Sequence, residues 1–208
     1  MVRKKTAITP VVVPRHSLGL TIAAATVFLT PMLTELFVYD RSAIMAGAFW
    51  RILTGHLVHF SREHLLGNCA ALLLTELFLA LAGATIPRRF WAITPPAVGF
   101  SLLLFQPDLP MYGGLSGIAC GLIILLACHW LRGSSIEQGV ALGLLVGIGT
   151  KILLESHTCQ PLLAGDTAPF VPVPLAHIAG AACGAFVAVT GHGTGRKWLR
   201  HFRAATRQ

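Results

Sequence analysis

YGGLSGIACG, residues 112–121, sets one serine among four glycines at the start of an apolar run. Gly113, Gly117 and Gly121 recur every four residues, so they share one helix face. Small residues at that spacing let helix backbones approach closely in lipid. Read alone, the stretch is a packing motif of a membrane helix, and Ser116 is a packing serine. A Gly-x-Ser-Gly tetrapeptide is weak evidence for a nucleophile. Its surroundings decide between the two readings.

The chain has 208 residues, of which 54% are hydrophobic and only 12% charged. Its mean hydropathy is +0.71. A soluble domain of this size would need far more polar surface. The composition predicts an all-α, polytopic membrane protein forming one compact unit. A spanning helix needs about 20 mostly apolar residues. Six segments meet that description: 17–38, 64–83, 90–107, 114–132, 136–155 and 171–191. Pro95 and Pro96 interrupt the third. The first has the basic start of a signal peptide, but its apolar run continues through Pro31 to Val38, which favours a retained helix. The expected organisation is a basic N-terminus (1–16), a six-helix membrane domain (17–191) and a basic tail (192–208).

The net charge of +8 would suggest a nucleic-acid partner in a soluble protein. Here the distribution argues for topology instead. Twelve of the sixteen Lys and Arg residues fall on one side of the six-span arrangement. The positive-inside rule then puts both termini in the cytoplasm, with anionic lipid available to the tail. The opposite side carries one long loop, 39–63, rich in Trp, Phe, Leu and His. That composition predicts a folded interfacial element between spans 1 and 2. Of five cysteines, only Cys159 lies in a loop, so no disulfide framework is expected.

Polar groups inside spans are costly and become functional candidates. Ser116 lies near the outer end of span 4, and His177 near the outer end of span 6. His64 and Asn68, four residues apart, open span 2 from the same side. Gly180 and Gly184 share the His177 face of span 6, so spans 4 and 6 are expected to pack and bring His177 to Ser116. A neutral imidazole can take the serine proton. The Ser116 N–H, the Asn68 amide and the His64 ring could then hold the oxyanion. Gly114 and Gly117 would let the backbone turn around Ser116. No acidic residue accompanies His177 within 171–191. The simplest mechanism is a Ser–His dyad without a carboxylate. No metal or cofactor is implied.

Several motifs resemble the rhomboid intramembrane serine proteases. These are GLSG at 114–117, AHIAG at 176–180, HLLGN at 64–68 and WRILTGHLVHFSREH at 50–64. The resemblance runs in order over most of the chain. It implies a six-helix bundle, Ser116 as nucleophile, His177 as general base, and His64 and Asn68 as oxyanion donors. It places Trp50 and Arg51 in a loop lying partly in the outer leaflet, and spans 2 and 5 beside the route of a substrate helix. YGGLSG, the small size and KILLE at 151–155 are similar to the rhombosortase subgroup. That likeness implies a bacterial inner-membrane enzyme acting on surface proteins with a C-terminal Gly-Gly motif, a hydrophobic helix and a basic tail. Many family members carry an aromatic residue where this chain has Cys120, which leaves open what orients His177; His157 is one substitute.

Lys151 and Glu155 continue the four-residue stripe of Gly139, Gly143 and Gly147. An internal ion pair on a packed face is the plainer reading, and a contact to the substrate's Gly-Gly region the sharper one. Three other functions remain in view. An inactive rhomboid-like protein that binds transmembrane helices would usually lack the serine or the histidine. A transporter using Glu35, Glu76, Lys151 and Glu155 would often show an inverted repeat, and none is visible. A metal site on His56, His59 and His64 lacks the His-Glu-x-x-His spacing.

Overall fold

The computed structural model describes residues 14–158, 160 and 171–191. Arg3, Lys4 and Lys5, the basic tail 192–208, Cys159 and the stretch 161–170 lie outside the described residues. The described chain is mostly helical, as expected.

The first expected span is two helices, α1 (Arg15–Leu29) and α2 (Pro31–Phe37), bent by 110°. Pro31 is the cause. Its ring disfavours a helical residue before it, and Thr30 adopts an extended φ of −122° and ψ of 94°. Pro31 then starts α2, where its missing N–H has no helical partner to lose. The single helix expected over 17–38 is therefore not formed.

The long loop is folded into β1 (Tyr39–Asp40), α3 (Arg41–Met45), α4 (Arg51–Thr54) and one 3-10 turn (Gly55–Leu57). Asp40 caps α3 by accepting the Ala43 N–H at 3.0 Å. That bond, with one from Ser42, holds its carboxyl below the usual carboxylate range. Trp50 and Arg51 fasten the loop to the end of α2. Trp50 Nε1 donates to the Leu36 carbonyl at 3.3 Å, and Arg51 donates to those of Glu35 and Val38, each at 2.9 Å. Carbonyls at a helix end lack partners in the helix itself, so these bonds satisfy them.

The remaining elements are α5 (Arg62–Leu81), α6 (Arg88–Phe105), β2 (Met111–Tyr112), α7 (Ser116–Trp130), α8 (Ser135–Thr158) and α9 (Pro174–Thr190). β1 and β2 form a minimal antiparallel pair with Tyr39 opposite Tyr112. By length and composition α5 and α8 can each cross a membrane, and the bent α1–α2 pair would make a third span. At 15 and 17 residues, α7 and α9 are shorter apolar helices. A 15-residue helix is about 22 Å long, against a hydrocarbon core of about 30 Å. α6 continues through Pro95 and Pro96. Large apolar side chains such as Leu29, Leu66, Leu104, Ile136, Val146 and Phe186 lie exposed on the outside.

α7 is apolar on every side and sits in the middle, with α5, α8 and α9 packed on it. The α7–α9 contact is backbone to backbone. A Cβ at Gly121 would stand 2.6 Å from the Gly180 carbonyl, and one at Gly180 or Gly184 would run into the carbonyls of Gly117 or Gly121. At the far end of the bundle from Ser116, Arg89 donates to the carbonyls of Val187 and Thr190 at the end of α9. There too Glu76 joins α5 to the start of α1, accepting the Ser17 N–H at 2.7 Å.

The glycine stripe of α8 is not on a packed face. Gly139, Gly143 and Gly147 have nothing within 4 Å of where a Cβ would stand. Each four-residue step overshoots a 3.6-residue turn by about 40°, so positions 139 and 155 lie about 160° apart around the helix. The inward line instead starts at Ala141 and runs past Ile148 to Glu155, the first and last of these being the buried residues of α8.

Candidate active site

Ser116 is the first residue of α7. Gly114 makes the turn before it, with φ of +132°, a conformation that favours glycine. Space requires glycine there too. A Cβ would lie 2.8 Å from the His64 ring and 3.5 Å from Asn68 Nδ2. The Gly114 N–H donates to the Gly55 carbonyl at 3.2 Å, and the Tyr112 hydroxyl donates to the Gly114 carbonyl at 3.0 Å. The folded loop thus props the turn that presents Ser116. Gly117 does not share in that turn, since its φ is not positive. Its place is the α9 contact, where a Cβ would stand 2.7 Å from the Ala176 carbonyl.

The first helical bond of α7 runs from the Ala119 N–H to the Leu115 carbonyl at 2.9 Å. The N–H groups of Ser116, Gly117 and Ile118 precede it and have no helical acceptor. They form the positive end of the helix dipole.

His177 is the fourth residue of α9. Its Nε2 lies 2.9 Å from Ser116 Oγ. Its Nδ1 lies 3.1 Å from Glu155 Oε2, and both side chains are almost wholly buried. The other Glu155 oxygen is paired with Lys151, one turn earlier on α8. The imidazole therefore has a carboxylate beside it, contrary to the expected dyad without one. The acid comes from a neighbouring helix, which a search of 171–191 could not reveal. His157 is exposed, and Cys120 lines the cavity one turn after Ser116.

His64 and Asn68 enter from the start of α5. Ser61 caps that helix, accepting the His64 N–H at 3.1 Å. This fixes where the helix begins and so brings both residues beside Gly114. Asn68 Nδ2 donates to His59 Nε2 at 3.1 Å, while His59 Nδ1 donates to the Leu57 carbonyl at 3.2 Å. Burial pushes His59 down to about 4, so the ring is neutral and its Nε2 accepts. The Asn68 amide is thereby oriented, with a second N–H still on the same nitrogen. His56 bonds the Pro95 carbonyl through Nε2 at 2.9 Å. His56 and His59, the candidate metal ligands, thus each spend a ring nitrogen on the protein's own backbone.

Ser116, His177, His64, Asn68, Lys151 and Glu155 line one cavity of about 500 Å³ with mostly apolar walls. α5 and α8 supply facing walls through Gly67 and Ala71 on one and Ile148 on the other. Trp50 and Arg51 are not among its lining residues. Sequence reasoning misses what three residues contact. Tyr112 and His59 lie within the quoted motifs, but only the fold gives them partners. Glu155 forms the expected ion pair with Lys151, yet it stands on a different helix face from the glycine stripe and also reaches His177.

No protein-family model matches this chain, and no curated protein matches it. A functional reading therefore rests on the arrangement itself. A hydroxyl hydrogen-bonded to a buried imidazole, at a helix start whose first N–H groups have no helical acceptor, is chemically able to act as a nucleophile beside a base and an anion-stabilising site.

Proposed function

We propose that this chain is a rhomboid-type intramembrane serine endopeptidase that cleaves transmembrane segments of membrane-anchored proteins. The 2.9 Å contact between Ser116 Oγ and His177 Nε2 on the wall of a mostly apolar cavity carries the reading. In this reading the chain is a six-segment bundle. The short helices α7 and α9 begin within the membrane, at the depth of the site. Irregular backbone is tolerated there only where protein covers it, and Tyr112, Gly113, Gly114 and Leu115 are all buried.

Ser116 gives its proton to His177 Nε2 as its oxygen attacks the scissile carbonyl. The resulting oxyanion is held by the Ser116 N–H, the remaining Asn68 N–H and the His64 ring. His177 then returns the proton to the departing amine, leaving an acyl-enzyme on Ser116. Water, deprotonated by the same ring, hydrolyses it. Backbone and side-chain donors of this kind are each worth roughly 10²–10³ in rate. The substrate we favour is a surface protein with a Gly-Gly motif before a C-terminal helix, which would lie against the small residues Gly67, Ala71, Gly113 and Ala119 of the cavity wall. The membrane is the bacterial inner membrane with both termini cytoplasmic. Arg15, Arg89 and Arg132 support this by gathering at the end of the bundle away from Ser116.

Co-expression with a Gly-Gly tailed, membrane-anchored substrate tests the proposal. Wild type should cleave it and label with a fluorophosphonate. Ser116→Ala and His177→Ala should each lose roughly 10³-fold or more in rate. Cleavage that survives Ser116→Ala would overturn the assignment. Co-purification of substrate with neither cleavage nor labelling would favour the inactive helix-binding alternative.

A further inference from the structure

We infer that Glu155 is a positioning residue for His177, held in place by Lys151, so that the site works as a three-membered chain rather than a dyad. This rests on the peptidase reading above. Glu155 Oε2 lies 3.1 Å from His177 Nδ1, while Oε1 is paired with the Lys151 ammonium. The carboxylate thus gives one oxygen to each partner. The three members come from three helices: Ser116 from α7, Glu155 from α8 and His177 from α9.

A neutral imidazole carries its proton on either nitrogen. Only the tautomer with the proton on Nδ1 leaves Nε2 free to take the Ser116 proton. A carboxylate can only accept, so its charge 3.1 Å from Nδ1 favours that tautomer, through an ion-pair contact that lies off the line of an aligned hydrogen bond. Once Nε2 is protonated the ring is cationic, and the carboxylate is already beside it. Cys120 supplies no ring to stack on His177, so the orienting group comes from α8 instead of α7.

Lys151 explains how the carboxylate is kept there. An isolated buried charge is strongly disfavoured unless it is paired. The ammonium one turn away on the same helix pairs it without occupying the oxygen that faces His177. The titratable groups facing Glu155 are then Lys151 on its own helix and His177 on α9. His64 on α5 and Cys120 on α7 line the same cavity.

The plain alternative is a structural bridge that merely pins α8 to α9. Purified variants separate the two on a transmembrane substrate, with cleavage kinetics, fluorophosphonate labelling and thermal unfolding measured together. Glu155→Gln removes only the charge but leaves Lys151 without its partner. The double variant K151M/E155Q removes both charges and keeps the packing volume. Both should bind substrate with KM within a few-fold of wild type while kcat falls roughly 10²–10⁴-fold, with labelling slowed in parallel. Glu155→Asp should recover part of the rate. A well-folded K151M/E155Q with near wild-type kcat would overturn the role of Glu155. Ser116→Ala run alongside keeps that outcome distinct from failure of the peptidase reading, because cleavage by Ser116→Ala would overturn the latter instead.

Discussion

Gly114 illustrates how much can depend on one missing methyl group. Its φ of +132° is strained for any L side chain, and the His64 ring occupies the space a Cβ would need. Gly114→Ala should lower stability by about 1–3 kcal/mol. The rate should suffer more than stability, by at least roughly tenfold, because His64 and Asn68 must move away from the position of the oxyanion. Thermal unfolding in detergent and cleavage rates on one preparation check both. The identity of the residues around Ser116 was legible in the sequence. Their bonding partners were not, because Tyr112 and His59 act through contacts between segments distant in the chain.

The helices divide into those that pack through glycine and those that do not. On α7 and α9 the glycine spacing was a true sign of contact. Gly180→Val should force the helices apart and cost several kcal/mol, roughly the scale of severe overpacking. On α8 the same spacing pointed to a packed face, and that face turns outward. Gly143→Ala should therefore be neutral or stabilising by up to about 1 kcal/mol, since it adds helix propensity and meets no neighbour. Denaturant titration of the two variants provides the comparison. A four-residue repeat is ambiguous by itself. It marks a short contact reliably, but over several turns it winds around the helix. Pro31 marks the complementary case, where a single residue ended a helix that apolar composition alone would have continued.

At the scale of the whole molecule, the folded loop between α2 and α5 carries buried histidines that report on global stability. Burial pushes His56 below its ordinary value, and His59 down to about 4. The unfolded chain therefore binds more protons than the folded one between about pH 6.5 and pH 4. Stability should fall as pH drops through that window, with His59 contributing at most about 3 kcal/mol of the loss. The stability difference between pH 7 and pH 4, measured by unfolding in detergent, should shrink in His59→Gln. An unchanged pH dependence would show that His59 titrates alike in the folded and the unfolded chain, and would overturn its assignment as a neutral buried ring.

The sequence by itself determined the helical, membrane-compatible character, because composition and run length act locally and additively. It also singled out Ser116, His177, His64 and Asn68, because polar groups in apolar helices are expensive and few. Tertiary structure alone decided where the carboxylate of Glu155 points. That depends on how α8 is rotated against α9, a quantity set by the packing of the whole bundle and by no single stretch of chain. It also turned Trp50 and Arg51 from a loop motif into the clasp on the end of α2, whereas the bend at Thr30 was set locally by Pro31.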